Sequence, residues 1–168
     1  MIIDLSRFFS DEAKPLDIDY SFSLESEEID GVHPFVSPVR VSGKLSPFSG
    51  SAVLEASAEY DFSKPCDRCA EETRRSLKLE VSHTLVPELS NEEDDDSFIQ
   101  AVNGSLDLDE LIYSDIILEM PSKYVCSESC KGLCPTCGAN LNKGDCGCAK
   151  NRIDPRMEIL KQLLDNND

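Results

Sequence analysis

The chain has 168 residues, 40% of them hydrophobic and 29% charged, with 33 acids against 16 lysines and arginines and a net charge of −17. That length carries one domain with a real core plus a small appended module. Such an acidic excess excludes broad electrostatic binding to a phosphate backbone and favours basic partners. The charge is uneven: residues 1–62 carry −8, residues 63–120 carry −10, and residues 121–168 carry +1.

The opening run to Phe9 is apolar but holds Asp4 and Arg7, so it lacks the layout of a signal peptide. It reads as a short strand or a turn of helix. No later stretch approaches the ~20 apolar residues of a membrane span. The expectation is a cytoplasmic protein whose thiols stay reduced.

Strands come next. Leu16, Ile18, Tyr20, Phe22 and Leu24 alternate with acids and serines. That is a half-buried strand with an acidic outer face. Residues 29–38, with Gly31, Pro34 and Pro38, read as a loop. Val39, Val41 and Leu45 give a second strand, ended by Pro47 and Gly50. A third places Leu54, Ala56, Ala58, Tyr60 and Phe62 inward. A fourth places Leu77, Leu79, Val81, His83 and Leu85 inward. Between the last two lies Cys66-Asp-Arg-Cys69, at the tip of an antiparallel hairpin. Repeated strict alternation predicts an antiparallel sheet with one wet face.

Residues 88–96 hold six acids in nine positions. A solvated loop is the favoured reading, a docking patch for a basic segment the sharper one. A short strand follows near residues 98–102. Asp107 and Glu110 have capping-box character, with Leu108, Leu111, Ile112 and Ile116 on one helical face. The helix spans about 107–119 and stops before Pro121. Asp109, Asp115 and Glu119 are assigned to its solvent side. Near the end, Asp154-Pro155 opens an amphipathic helix carrying Met157, Leu160 and Leu164.

Six of the eight cysteines crowd residues 126–148: Cys126, Cys130, Cys134, Cys137, Cys146 and Cys148. With Cys66 and Cys69 they have the knuckle spacings of metal ligands in a reducing compartment. Four sulfurs and no histidine suit closed, structural zinc sites. The favoured assignment is two zinc ions. Cys134, Cys137, Cys146 and Cys148 form a local ribbon, while Cys66, Cys69, Cys126 and Cys130 clamp the hairpin tip to the segment leaving the helix. One zinc with free thiols, and an exchange that pairs Cys66 and Cys69 with Cys134 and Cys137, both stay open. An iron–sulfur cluster is disfavoured by the spacing. Two ionised sites would take the net charge to about −21.

The fold expected is α+β: an antiparallel sheet, open or barrel-like, with one or two short helices and a C-terminal zinc-ribbon-like module. The sheet domain and its helix occupy 1–120. The cysteine module and a C-terminal helix packed on it occupy 121–168.

The run Cys130-Lys-Gly-Leu-Cys134-Pro-Thr-Cys137-Gly-Ala-Asn-Leu-Asn, the following Cys146-Gly-Cys148 and the later Asp154-Pro155-Arg156 resemble the YceD family. The likeness is dense from about residue 121 to 156 and extends to Cys66-Asp-Arg-Cys69. It implies a non-enzymatic ribosome-biogenesis factor, needed for accumulation of 23S rRNA and assembly of the large subunit.

The partner is then large-subunit rRNA or a basic ribosomal protein, with no DNA and no membrane expected. For direct RNA contact, Lys123, Lys131, Lys143, Lys150, Arg152 and Arg156 join Arg68, Arg74 and Arg75 as a local basic face. The plainer reading is that these residues offset thiolate charge through local hydrogen bonds. The acidic body favours a chaperone-like hold on a basic ribosomal protein. A thiol oxidoreductase is least favoured, because a redox C-x-x-C opens a helix and this one joins strands. No H-E-x-x-H or phosphate loop is present, and His33 and His83 are the only histidines.

Overall fold

The computed structural model describes residues 1–10, 13–88 and 98–148. The acids at 92–96 and the helix expected from residue 154 lie outside the described residues. The body is a five-stranded sheet, curled as a half-barrel, in the order β2 (Leu16–Phe22), β3 (Val39–Phe48), β4 (Ser51–Pro65), β5 (Glu72–Val86) and β6 (Phe98–Gln100). A two-stranded piece pairs β1 (Ile2–Asp4) with β7 (Ser105–Asp107). Two α-helices, α1 (Ser6–Phe9) and α2 (Leu108–Glu119), and a 3-10 turn at Val102–Gly104 complete the described elements.

Alternation sets which face is dry. On β3, Val39, Val41 and Leu45 are buried, and on β4 so are Ala52, Leu54, Ala58, Tyr60 and Phe62. Leu108, Ile112 and Ile116 of α2 are fully buried in the same core. The opposite face carries cross-strand polar rows such as Arg40 beside Glu59 and Glu59 beside Lys78. The loop after β2 is not a solvated excursion: Phe35 is buried, bridges to Phe62, and packs tilted on Tyr60 and edge-on to Phe62.

Several local expectations need correction. The opening segment is both a strand and a helical turn, β1 then α1. Pro47 lies inside β3, opposite Ala52. It is tolerated because β2 pairs only as far as Leu45, leaving an open edge where Pro47 needs no donor. The last strand, β6, runs parallel to β5, so the sheet is not wholly antiparallel.

Asp107 does cap α2, accepting from the Asp109 N–H at 3.1 Å. Among the described residues no side-chain bond returns from Glu110. The N-terminal ammonium lies against this first turn, 3.3 Å from the Asp107 carboxylate and 2.6 Å from that of Asp109. Asp115 is not on the solvent side either. It turns to His83 on β5, Oδ2 to Nε2 2.8 Å. An inward imidazole would otherwise leave a polar nitrogen unmatched against an apolar helix, and this bond supplies the match.

Candidate metal centre

The long hairpin of β4 and β5 stays paired out to Pro65 and Glu72. Its turn is closed by Cys66 N–H to Glu71 O (2.9 Å) and Ala70 N–H to Cys66 O (2.8 Å). Cys66 and Cys69 therefore point off the end of the sheet from one tight turn. The chain leaving α2 passes directly across that end.

Tyr124 fixes the crossing. Its ring meets Phe62 edge-on at 5.4 Å, and its hydroxyl lies 3.0 Å from Thr73 O and 3.3 Å from Phe62 O. The Arg75 guanidinium sits 5.2 Å over the ring and donates to Val125 O. Asp67 binds the Tyr124 backbone twice, through its N–H (2.9 Å to Tyr124 O) and its carboxylate (2.6 Å from Tyr124 N). Cys126, two residues on, is thereby set opposite the hairpin cysteines.

The structure groups the eight cysteines as two sets of four: Cys66, Cys69, Cys126 and Cys130, and Cys134, Cys137, Cys146 and Cys148. Within each set all four sulfurs lie within 4.8 Å of one another. The Cys66–Cys130 and Cys69–Cys126 sulfur separations are 3.9 and 3.7 Å. Disulfide sulfurs lie at about 2.05 Å, so these are not disulfides. Four thiolates bonded to one ion at about 2.3 Å sit about 3.8 Å apart around a tetrahedron, so the first set can hold a metal ion with little movement.

The first set is the drier: Cys66, Cys69 and Cys130 are buried and Cys126 half-buried, whereas Cys137 of the second set is exposed. The second set folds on its own turn, with Cys134 N–H to Ala139 O and Gly138 N–H to Cys134 O, both 2.8 Å. Gly138 sits at φ +73°, a left-handed position that side chains resist.

Electrostatics within each set are mixed. Burial works against ionising Cys66, but N–H donors of Cys126, Arg68 and Cys69 outweigh it and bring the thiol down to about 6. Cys134 also falls to about 6, held by the N–H groups of Thr136 and Cys137. The Cys130 sulfur, with burial, pushes Cys126 up to about 12. The Cys137 and Cys146 sulfurs do the same to Cys148, again to about 12. Four thiolates this close repel one another, and a cation at the centre removes that repulsion.

Arg68 and Asn142 join the two sets, a role the sequence did not reveal. Arg68 O accepts from Leu133 N–H at 3.0 Å, and its guanidinium reaches Cys130 O (3.1 Å) and Glu128 O (3.3 Å). Asn142 donates from Nδ2 to the Cys130 sulfur (3.3 Å) and accepts Lys131 N–H at Oδ1 (2.8 Å). Asn142 belongs to the ribbon by sequence yet touches the other set. Asn142→Ala is expected to weaken metal retention by the first set about 10–100-fold, as loss of ligand-supporting hydrogen bonds does. Competition with a graded chelator measures this; unchanged retention contradicts it.

The basic face expected around the knuckles stays exposed, yet four of its side chains are engaged by groups of their own chain. Besides Arg68 and Arg75, Arg74 pairs with Asp61 at 2.6 Å and Lys143 with Glu71 at 2.7 Å. Lys123 and Lys131 are exposed. Lys150, Arg152 and Arg156 lie outside the described residues.

No solved structure matches this chain. The protein YlbN of Bacillus subtilis is 25% identical over 134 residues, 79% of this chain and 78% of that protein. An uncharacterized protein of Mycobacterium tuberculosis (strain H37Rv) is 30% identical over 102 residues, 59% of this chain and 49% of its own. The chloroplastic large ribosomal RNA subunit accumulation protein YCED homolog 1 of Zea mays is 30% identical over 148 residues, 70% of this chain and 50% of its own. The matches thus span about half the length of the mycobacterial and maize proteins. A family model, large ribosomal RNA subunit accumulation protein YceD, matches residues 54–164. That stretch begins in β4 and takes in the hairpin tip and both cysteine sets, and the chain belongs to the YceD family.

Proposed function

We propose that the chain is a non-enzymatic factor of large-subunit assembly, needed for 23S rRNA accumulation, whose two cysteine sets hold structural zinc. The observation that carries this is the extent of the family match, which covers the clamp and the ribbon. The non-enzymatic part draws support from the sites themselves. Each set offers four protein sulfurs to one ion, which leaves no open position for water or substrate. His83 is engaged by Asp115, and His33 Nδ1 lies 3.2 Å from Glu27 O. Among the described residues, no helix is long and apolar enough to cross a membrane. A cytoplasmic place is part of the proposal.

Bound zinc would supply a fixed tetrahedral junction of four bonds. Cys66, Cys69, Cys126 and Cys130 would then lock the hairpin tip to the chain leaving α2. Cys134, Cys137, Cys146 and Cys148 would close the ribbon.

Zinc binding is expected to release protons. For Cys69 the Glu71 N–H favours the thiolate, but burial and the Cys66 and Cys130 sulfurs win and raise it. For Cys146 the Cys148 N–H favours the thiolate, but Cys134 and burial raise it. Cys126 and Cys148 are higher still. At least two protons per set therefore remain to be displaced at neutral pH. Apparent zinc affinity should rise about 100-fold per pH unit near neutrality and be lost in acid. Zinc titrations at three pH values check this; a flat dependence contradicts tetrathiolate sites.

The assembly role is tested by sedimentation of the tagged chain from gently lysed cells, with and without RNase, across a salt series. Co-migration with precursor large subunits supports it; migration as free protein only overturns it. The engagement of the exposed arginines by groups of their own chain favours a second reading, in which the contact is with a basic ribosomal protein rather than RNA. Persistence of the complex after RNase supports that reading.

A further inference from the structure

The two cysteine sets differ in access. In the first, Cys66 is 2% exposed, Cys69 3% and Cys130 5%, with Cys126 half-buried. The chain also covers these sulfurs with donors. Cys66 accepts the N–H groups of Arg68 (3.4 Å) and Cys126 (3.3 Å), and Cys130 accepts Asn142 Nδ2 (3.3 Å). Gly132, just after Cys130, is packed so closely that an added Cβ would lie 3.0 Å from Arg68 O. The second set is open. Cys137 is exposed, and Cys146 and Cys148 are half-buried. Gly138, Gly144 and Gly147 run beside these ligands, and a Cβ added at any of them would meet nothing within 4 Å.

Metal ligation keeps the sulfurs as thiolates, the nucleophilic form. In the loaded chain, access and not ionisation therefore separates the two sets. A small oxidant reaches Cys137 without any opening of the sheet, whereas Cys66, Cys69 and Cys130 are shielded by the hairpin tip and the segment crossing it.

We infer that the ribbon of Cys134, Cys137, Cys146 and Cys148 is a reversible oxidation site for peroxide, attacked at Cys137, and that the first set is protected from the same reagent. The inference rests on the zinc reading above and adds a chemical control of one of its two sites. The Cys137 thiolate attacks one peroxide oxygen: an S–O bond forms, the O–O bond breaks, and hydroxide leaves. A second ribbon thiolate, whose sulfur starts within 4.8 Å, then attacks the Cys137 sulfur. An S–S bond forms, the S–O bond breaks, and a second hydroxide leaves. Two electrons pass from the sulfurs to the peroxide. The sulfurs close to about 2.05 Å, a movement that the open ribbon allows. Two thiolates remain, too few for a closed four-sulfur site. A thiol reductant reverses the step by disulfide exchange.

The test uses the full zinc-loaded chain, hydrogen peroxide and a chromogenic zinc indicator. One ion per chain is expected to leave about tenfold faster than the other. Differential alkylation with mass spectrometry should then find Cys137 in a disulfide with Cys134, Cys146 or Cys148, and Cys66, Cys69, Cys126 and Cys130 still reduced. Dithiothreitol with added zinc should restore both ions, and catalase added beforehand should abolish the release. Simultaneous loss of both ions, earlier oxidation of the first set, or a ribbon that keeps its ion under peroxide would overturn the inference. So would release that catalase does not prevent, which marks an ion that is merely labile. Failure of the zinc reading shows separately, as a fully reduced chain that binds no zinc. Failure of the inference alone shows as two bound ions that leave together.

Discussion

Replacing Cys66 with serine should remove one zinc ion per chain and lower stability by about 4 kcal/mol or more, a fall of about 8–16 °C in the melting midpoint. The expected loss exceeds that of an ordinary buried cysteine because Cys66 is the hub of the first set. Its sulfur accepts N–H groups from Arg68 (3.4 Å) and Cys126 (3.3 Å) and lies 3.9 Å from the Cys130 sulfur. Without the ion, three buried or half-buried sulfurs are left facing one another with no central charge. The crossing segment then rests on Tyr124, Asp67 and the bonds of Arg68 and Arg75 to its carbonyls. Cys137→Ser is the informative contrast. It should also cost one ion, yet the loss should stay in the exposed ribbon and leave sheet melting nearly unchanged. Metal analysis with thermal denaturation separates the two; equal melting losses would contradict the division of labour.

Gly43→Ala should be as damaging, for a reason unrelated to metal. Gly43 sits in the middle of β3, between Ile18 on β2 and Ala56 on β4. A Cβ added there would lie 2.4 Å from Glu55 O, 2.5 Å from Ala56 Cα and 2.6 Å from Ala56 Cβ. The obstructing atoms are backbone and a first side-chain carbon, so no rotamer change relieves them. Pairing glycine with alanine at this point is how two central strands approach closely enough for the sheet to curl. Adding one methyl forces β3 and β4 apart, and a loss of about 3–5 kcal/mol is expected. Denaturant melting measures it; a variant within 1 kcal/mol of wild type would mean that the strands part easily there.

The sheet was legible because its signal is strictly local. Alternation along 54–62 and 77–85 fixes which side chains face inward, and the buried rows of β4 and β5 follow it. The grouping of cysteines was legible as a preference: short spacings mark which neighbours pair, and the structure decides which pairs share a set. What escaped depends on neighbours distant in sequence. Asp115 has the spacing of a solvent-facing helical residue, and only the placement of α2 over β5 turns it to His83. The parallel pairing of β6 with β5 is a relation between two strands that no periodicity records. Gly43 sits within a regular strand and carries no turn signal. Arg68 and Asn142 tie the two cysteine sets through bonds across 62 and 12 positions, and their residue types alone suggest only surface polarity or a turn. The arginines near Cys66 and Cys69 admitted two readings in one dimension, RNA contact or local bonding; in three they meet carbonyls, a carboxylate and an aromatic ring of their own chain.

The most direct test of the account is the ratio of large- to small-subunit rRNA in cells depleted of the chain and complemented with wild type or Cys66→Ser. The account predicts that depletion lowers the ratio, that wild type restores it, and that Cys66→Ser does not when expressed to the same level. A ratio unchanged by depletion would contradict a role in large-subunit rRNA accumulation. Full restoration by a zinc-depleted Cys66→Ser chain would separate that role from the metal-held junction.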